Sequence, residues 1–204
     1  MITAQESNLY FETLFTRASF MGIFRGLAPE ATVAICSKAW DLGIDVVEIP
    51  VQTPDAIPSL RAAAAAGRER GKDVGAGTII SPDQVAAVLQ AGATFTVAPG
   101  SSPLVTSACL QHGLPHMPGV STSTDITAAL SEGLTWLKAF PAAQLGSGWV
   151  TAQLAPFPQV SFVATGGLTG ENAEEFLNAG ARVVAVGSAI HDPQTLSAMA
   201  RVSR

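Results

Sequence analysis

A (β/α)₈ barrel preceded by one extra helix is the fold that the sequence predicts, on three observations. Short apolar, β-branched segments alternate with Ala- and Leu-rich segments of helical period along the 204 residues. The strand segments begin 20 to 27 residues apart, which is the length of one β/α unit. There are eight of them, a number that suits a closed barrel at the compact end of its size range better than an open sheet.

The strands are expected at Phe20–Arg25, Val46–Pro50, Asp73–Gly77, Phe95–Ala98, Pro115–Pro118, Thr135–Phe140, Ser161–Thr165 and Val183–Gly187. Helices are expected between them at Pro29–Leu42, Asp55–Arg70, Pro82–Ala91, Pro103–His112, Ser123–Glu132, Gly148–Pro156 and Glu171–Ala179. A last helix is expected at Pro193–Val202, and an amphipathic one at Ala4–Ala18 precedes the first strand. Ser81-Pro82 and Asp192-Pro193 read as an N-cap followed by proline in the first turn. Ala91-Gly92-Ala93 and Ala179-Gly180-Ala181 read as helix ends closed by a left-handed glycine. With no linker or low-complexity tract, the chain reads as one domain, the helix in 1–19 and the barrel in 20–204.

Composition narrows the function classes. Hydrophobic residues make up 48% and charged residues 13%, enough for one sizeable core. No apolar run reaches the length of a membrane span, and the N-terminus lacks the basic-then-apolar pattern of a secretory signal, so a cytoplasmic location without membrane contact is expected. The net charge is −5 with no basic stripe, which argues against nucleic acid. Cys36 and Cys109 sit in helical patterns away from any metal spacing and read as buried thiols of a reducing compartment. His112, His116 and His191 show no paired ligand spacing, so no metal is expected.

The active site of this fold lies at the C-terminal ends of the strands. Those ends carry Arg25, Glu48, Thr78, Lys138, Thr165-Gly166-Gly167 and Gly187-Ser188, while Pro99-Gly100 and Pro118-Gly119 end strands four and five without an ionisable group. The chain has three lysines, and only Lys138 falls in a strand, sharing a face with Trp136 and Phe140. Glu48 shares a face with Val46 and Pro50. Strands two and six are both even, so their inward side chains can occupy one layer, and Lys138 and Glu48 are expected to meet. A buried ion pair is the plain structural reading. The functional reading starts from an amine enclosed in a barrel mouth, which can attack a ketone and form a Schiff base. The protonated imine withdraws electrons from the neighbouring carbons, the chemistry of a class I aldolase, and Glu48 can serve as its acid and base.

The remaining ends suggest anion sites. TGGLTGEN (Thr165–Asn172) is a strand end, a glycine turn and a helix start, and VGSAI (Val186–Ile190) repeats the arrangement after the last strand. Phosphate sites recur after strands seven and eight of this fold. Thr165, Gly166, Gly167, Gly187 and Ser188 are therefore candidate phosphate ligands. The glycines of VGAGT (Val74–Thr78) allow close approach, and the Thr78 hydroxyl can bind a carboxylate or simply cap a turn. Arg25 can grip a carboxylate bidentately or form a rim salt bridge, with Glu48 as a candidate partner.

In order along the chain, IFRG, VEIP, GAGT, APG, MPG, LKAFPA, TGG and VGS resemble the 2-keto-3-deoxy-6-phosphogluconate (KDPG) aldolase family, including its phosphogalactonate (KDPGal) branch. The resemblance spans Ile23–Ser188, and LKAFPA with an upstream GAGT is its most specific part. It implies a TIM barrel, a homotrimer, no cofactor, and class I cleavage of a phosphorylated 2-keto-3-deoxy sugar acid to pyruvate and D-glyceraldehyde 3-phosphate. By that resemblance Lys138 is the Schiff-base lysine and Glu48 the acid/base. Thr78 and an arginine hold the pyruvyl carboxylate, the TGG and GS turns hold the phosphate, and Gln52, Pro99 and Phe140 complete the pocket. The phosphogluconate branch typically has an arginine four residues after the glutamate, where this chain has Gln52. The phosphogalactonate branch is similar here in its FRG-like start, EIP strand and nearby amide, and Arg25 then takes the place of the missing guanidinium. APG and FPA suit both branches. Three rivals stand beside this reading: an aldolase for 4-hydroxy-2-oxoglutarate or another unphosphorylated 2-keto acid, a phosphosugar isomerase or epimerase with no covalent lysine, and a non-catalytic phospho-ligand sensor.

Overall fold

The computed structural model describes residues 1–16 and 18–187. It contains a sheet of nine strands: β1 (Phe20–Ile23), β2 (Val46–Pro50), β3 (Val74–Gly77), β4 (Phe95–Val97), β5 (His116–Met117), β6 (Gly119–Val120), β7 (Trp136–Ala139), β8 (Ser161–Thr165) and β9 (Val183–Val186). All pairings are parallel, in the order β5-β4-β3-β2-β1-β9-β8-β7-β6. The helices are α1 (Ala4–Leu14), α2 (Pro29–Asp41), α3 (Ile57–Arg70), α4 (Asp83–Gln90), α5 (Pro103–Gln111), α6 (Ser123–Ser131), α7 (Ala142–Leu145), α8 (Ser147–Leu154) and α9 (Ala173–Asn178). The expected helix Pro193–Val202 lies outside the described residues.

The strand expected at Pro115–Pro118 is two short strands on either side of Pro118. Proline has no N–H to give to a ladder, and there the chain changes partners. β5 pairs with β4, and β6 pairs with β7. The Pro118 carbonyl accepts the Lys138 N–H at 2.9 Å, already on the β7 side. The two ends of the strand order are thus consecutive in the chain, and the sheet closes into a nearly complete barrel. Other boundaries also move. α1 stops at Leu14, short of Ala18, a 3₁₀ turn at Pro54–Ala56 precedes α3, and α7 is an extra turn of helix directly after Pro141. Ser81 Oγ accepts the Asp83 N–H at 3.3 Å, so α4 starts one residue past the expected proline. Gly92 (φ 94°) and Gly180 (φ 105°) close their helices in the left-handed region, as the Ala-Gly-Ala pattern suggests.

Period-two alternation sorts the strand residues into two apolar layers. Val47, Ile49, Val74, Ala76, Leu137, Phe162 and Val184 face outward and pack beneath the helices. Met21, Val46, Phe95, Val97, Met117, Trp136, Val163, Val183 and Ala185 face inward and fill the barrel. Helix α1 stops the lower end. Phe11 and Phe15 enter the inner cluster, with the Phe15 and Trp136 rings stacked 5.2 Å apart. The polar residues of α1 satisfy groups at the strand starts: Asn8 Nδ2 donates to the Gly133 carbonyl at 2.8 Å, and Tyr10 Oη donates to Asp73 Oδ1 at 2.8 Å. Ser7 Oγ accepts the His116 N–H at 3.0 Å.

His116 is wholly buried on the outer face of β5. Its Nδ1 lies 2.9 Å from Thr96 Oγ1, whose own hydrogen goes to the Pro115 carbonyl at 3.1 Å. If that hydroxyl hydrogen stays on the carbonyl, Nδ1 is the donor, and in either tautomer Nε2 has no partner among the described residues. Burial pushes the imidazole down to about 3. The unfolded chain takes up a proton below about pH 6.5 that the native chain refuses, so this group's stability contribution falls as pH drops from about 6.5 toward 3. Urea denaturation should show the parent losing up to about 1.4 kcal/mol per pH unit in this window relative to His116→Gln; an offset that does not change with pH would contradict it.

Candidate active site

Lys138 and Glu48 meet inside the barrel. Lys138 sits on β7 in register with Gly119 and Val163, and Glu48 sits on β2 in register with Ile23 and Gly75. Both side chains point inward, above Trp136 and Val46 respectively. Nζ of Lys138 lies 3.9 Å from Glu48 Oε2, with the two side chains 6% and 0% exposed. The ammonium also lies over the Phe140 ring, 5.4 Å from its centroid. Among the described residues, neither carboxylate oxygen of Glu48 has a hydrogen-bond partner. Burial pushes the Glu48 carboxyl above its ordinary range, and the Lys138 and Arg25 charges pull it only part of the way back.

A cavity of about 390 Å³ opens above this pair at the C-terminal mouth. Ile23 lines it from β1 and Arg25 from just beyond it, Lys138 from β7 and Phe140 from the residue after it, Thr165 from β8, and Gly187 from the residue after β9. Gly166 and Gly167 close one wall, both with positive φ (102° and 72°). The first packs on Phe140 and Pro141, and its carbonyl accepts the Ala143 N–H at 3.0 Å. The left-handed backbone of such a turn exposes peptide N–H groups in the way that oxyanion-binding loops do. Thr165 is buried, its hydroxyl 3.4 Å from the Val163 carbonyl.

Of the expected site residues, the structure therefore brings Arg25, Lys138, Phe140, Thr165, Gly166, Gly167 and Gly187 together on one cavity, with Glu48 buried behind Lys138. Three others sit apart from its lining. Gln52 is exposed, and its Oε1 accepts from Arg25 Nη1 at 3.3 Å; this amide, and not Glu48, is the partner of the guanidinium. Pro99 is half-buried with its backbone against Gly119. Thr78 is half-buried at the end of β3 with φ 62°, a left-handed conformation that a β-branched residue rarely adopts. Ser188 lies outside the described residues. The sequence reading passed over Ile23 and Leu168 as lining residues. Period two from Arg25 would have found Ile23.

Residues 13–203 match the family model described as KDPG and KHG aldolase. The chain belongs to this aldolase family. It is 31% identical over 177 residues to 2-dehydro-3-deoxy-6-phosphogalactonate aldolase of Escherichia coli K12, with 86% of each chain covered. It is 39% identical over 148 residues to 2-dehydro-3-deoxy-phosphogluconate aldolase of Treponema pallidum, covering 71% of this chain and 68% of that one. Among solved structures, KDPG aldolase from Legionella pneumophila, with pyruvate captured as a covalent carbinolamine intermediate, is similar at TM-score 0.80 and 29% identity, covering 93% and 94% of the two chains. The family membership agrees with a lysine built into the barrel.

Removing that lysine leaves a buried carboxyl with no partner, and the consequence has a sign. A Glu48 pKa raised further in the native state makes its contribution fully present below about pH 4.3 and lost as pH rises through the native value. In urea denaturation, Lys138→Met should lie close to the parent near pH 4.5 and fall behind toward pH 8, by up to about 3–5 kcal/mol. Adding Glu48→Gln should remove the pH dependence of the gap; a gap of constant size across this range would show that the two groups are not coupled.

Proposed function

We propose that this chain is a class I aldolase that reversibly cleaves a 2-keto-3-deoxy-6-phospho sugar acid to pyruvate and D-glyceraldehyde 3-phosphate through a Schiff base on Lys138. The observation that carries the reading is a strand lysine, nearly sealed from water, 3.9 Å from a wholly buried carboxyl and opening onto a cavity walled by a Gly-Gly turn. The amine of Lys138 adds to the C2 ketone. Glu48, protonated, gives its proton to the departing hydroxyl as the carbinolamine loses water, and the resulting carboxylate takes the proton of the C4 hydroxyl. The C3–C4 bond breaks, its electrons pass into the iminium, and the aldehyde leaves. Protonation of the enamine at C3 and hydrolysis of the imine release pyruvate and restore the amine. Burial raises the Glu48 carboxyl above its ordinary range, the direction that favours a general acid over a permanently ionised carboxylate.

The two ends of the substrate fit the two kinds of polar group at the mouth. Arg25 supplies the guanidinium for the pyruvyl carboxylate, with Thr78 at the neighbouring rim. Thr165, the Gly166-Gly167 turn, Gly187 and Ser188 take the phosphate. Gln52, bonded to Arg25 in place of an arginine of its own, favours the phosphogalactonate branch, because it directs the strand-one guanidinium into the carboxylate role.

Borohydride reduction in the presence of pyruvate should yield a stable adduct on the peptide containing Lys138, absent from Lys138→Met. Glu48→Gln, still folded, should lose about 10²–10⁴-fold in kcat. Cleavage of the two C4 epimers then separates the branches, and unimpaired cleavage of 4-hydroxy-2-oxoglutarate would remove the phosphate from the reading. A folded enzyme that turns over without forming any adduct would overturn the Schiff base.

A further inference from the structure

Gly77 has no backbone reason to be glycine. It ends β3 in extended conformation, and it is absent from the glycines with positive φ. Space is the reason. A methyl group placed on Gly77 would overlap Oε1 and Cδ of Glu48 and would lie 2.7 Å from its Cγ. The glutamate crosses from β2 and lays its carboxyl across the bare backbone of β3, two residues beyond its register partner Gly75. The neighbouring glycine on the same face has a different reason. A methyl group on Gly75 would overlap the Phe95 ring, part of the packed core.

We propose that Gly77 is a positioning residue: the missing side chain fixes where the Glu48 carboxyl lies relative to Lys138. This rests on the acid–base role given to Glu48 above. The three atoms nearest the added methyl all belong to the Glu48 side chain and none to backbone, and that side chain can swing away, so the barrel can accept alanine while the carboxyl is displaced. With neither oxygen of Glu48 held by a hydrogen bond, that vacancy and the attraction of Lys138 are what define its place. Displacing a proton-transfer group by about 1 Å is enough to cost about 10²-fold in rate.

A double-mutant cycle tests this with two readouts. Gly77→Ala should lower kcat for aldol cleavage by about 10²-fold while KM stays within about threefold of the parent. Exchange of the methyl protons of pyruvate with deuterated water, followed by NMR, should slow in step, because it uses the proton transfers of imine formation and enamine protonation without C–C cleavage. In denaturation, Gly77→Ala should lower the midpoint in the parent and leave it unchanged in the Glu48→Ala background. Gly75→Ala, which crowds Phe95, should lower it equally in both. If Gly77→Ala fails to fold alone but folds with Glu48→Ala, the carboxyl is the obstacle and the proposal stands. Failure to fold in both backgrounds, or parent-like kcat and exchange in a folded Gly77→Ala, would overturn it. Full turnover by Glu48→Gln would overturn the acid–base role and the positioning role together. An inactive Glu48→Gln beside a fully active Gly77→Ala would overturn the positioning role alone.

Discussion

The pairing of Lys138 with Glu48 inside an apolar barrel is the constraint around which the rest of the molecule is arranged. At 3.9 Å the attraction is worth about 4 kcal/mol at an effective dielectric constant near 20. Removing each ion from water costs on the order of several kcal/mol. The two desolvation costs together exceed the attraction, and among the described residues no hydrogen bond to the carboxylate offsets the difference. A pair kept for stability would be shorter and better bonded. This one is held apart in a dry place, which suits the proton transfers proposed for the two groups. The apolar plug below it serves the same end. Phe11, Phe15 and Trp136 close the lower mouth, so water and ligand can approach the lysine only from the upper cavity.

The upper cavity is electrically one-sided. Arg25 and Lys138 face it, the Gly166-Gly167 turn adds peptide dipoles, and among the described residues none that line it is acidic. The chain as a whole carries a net charge of −5. At physiological salt, charges further away than about 8 Å are largely screened, so an anion at the mouth responds to the local cations and not to the net charge. A dianionic or trianionic substrate is thus attracted where the chemistry takes place, though the sequence composition alone suggests an anion-repelling surface.

The eight-stave barrel and the meeting of Lys138 with Glu48 were legible because both follow from short-range rules. Strand parity and the two-residue alternation decide which side chains share a layer, and neither depends on fine detail. Three other features were not legible. The chain changes strand partners at Pro118 because the sheet must close at that point, and closure is a property of the whole ring. Arg25 pairs with Gln52 and leaves Glu48 to Lys138, a choice that position at a strand end does not decide. His116 showed only the lack of a ligand spacing in the sequence, and its contact with Thr96 places it on the outer face of β5, held neutral. Each of these depends on contacts between segments far apart in sequence, which local patterning does not encode.

The GAGT segment shows how much can hide in a motif whose glycines seem interchangeable. Gly75 makes room for a ring of the core, Gly77 for a carboxyl, and Thr78 adopts the left-handed conformation that would suit a third glycine. That conformation costs on the order of 1–3 kcal/mol for a β-branched residue, and the surroundings offset it. Gln84 donates to the Thr78 carbonyl at 3.3 Å and to the Val51 carbonyl at 2.9 Å, while its own oxygen accepts the N–H groups of Ile80 and Ser81. One amide thereby ties the rim of β2 to the rim of β3. The two strands that frame Glu48 are fixed to each other directly above it, and the carboxyl cannot gain room by their spreading apart. Precision at this site comes from rigid neighbours and a missing side chain, with no hydrogen bond to the glutamate itself. A direct bond would have fixed the carboxyl as well, but it would also have stabilised one protonation state over the other, and the alternation between acid and base proposed for Glu48 is better served by shape.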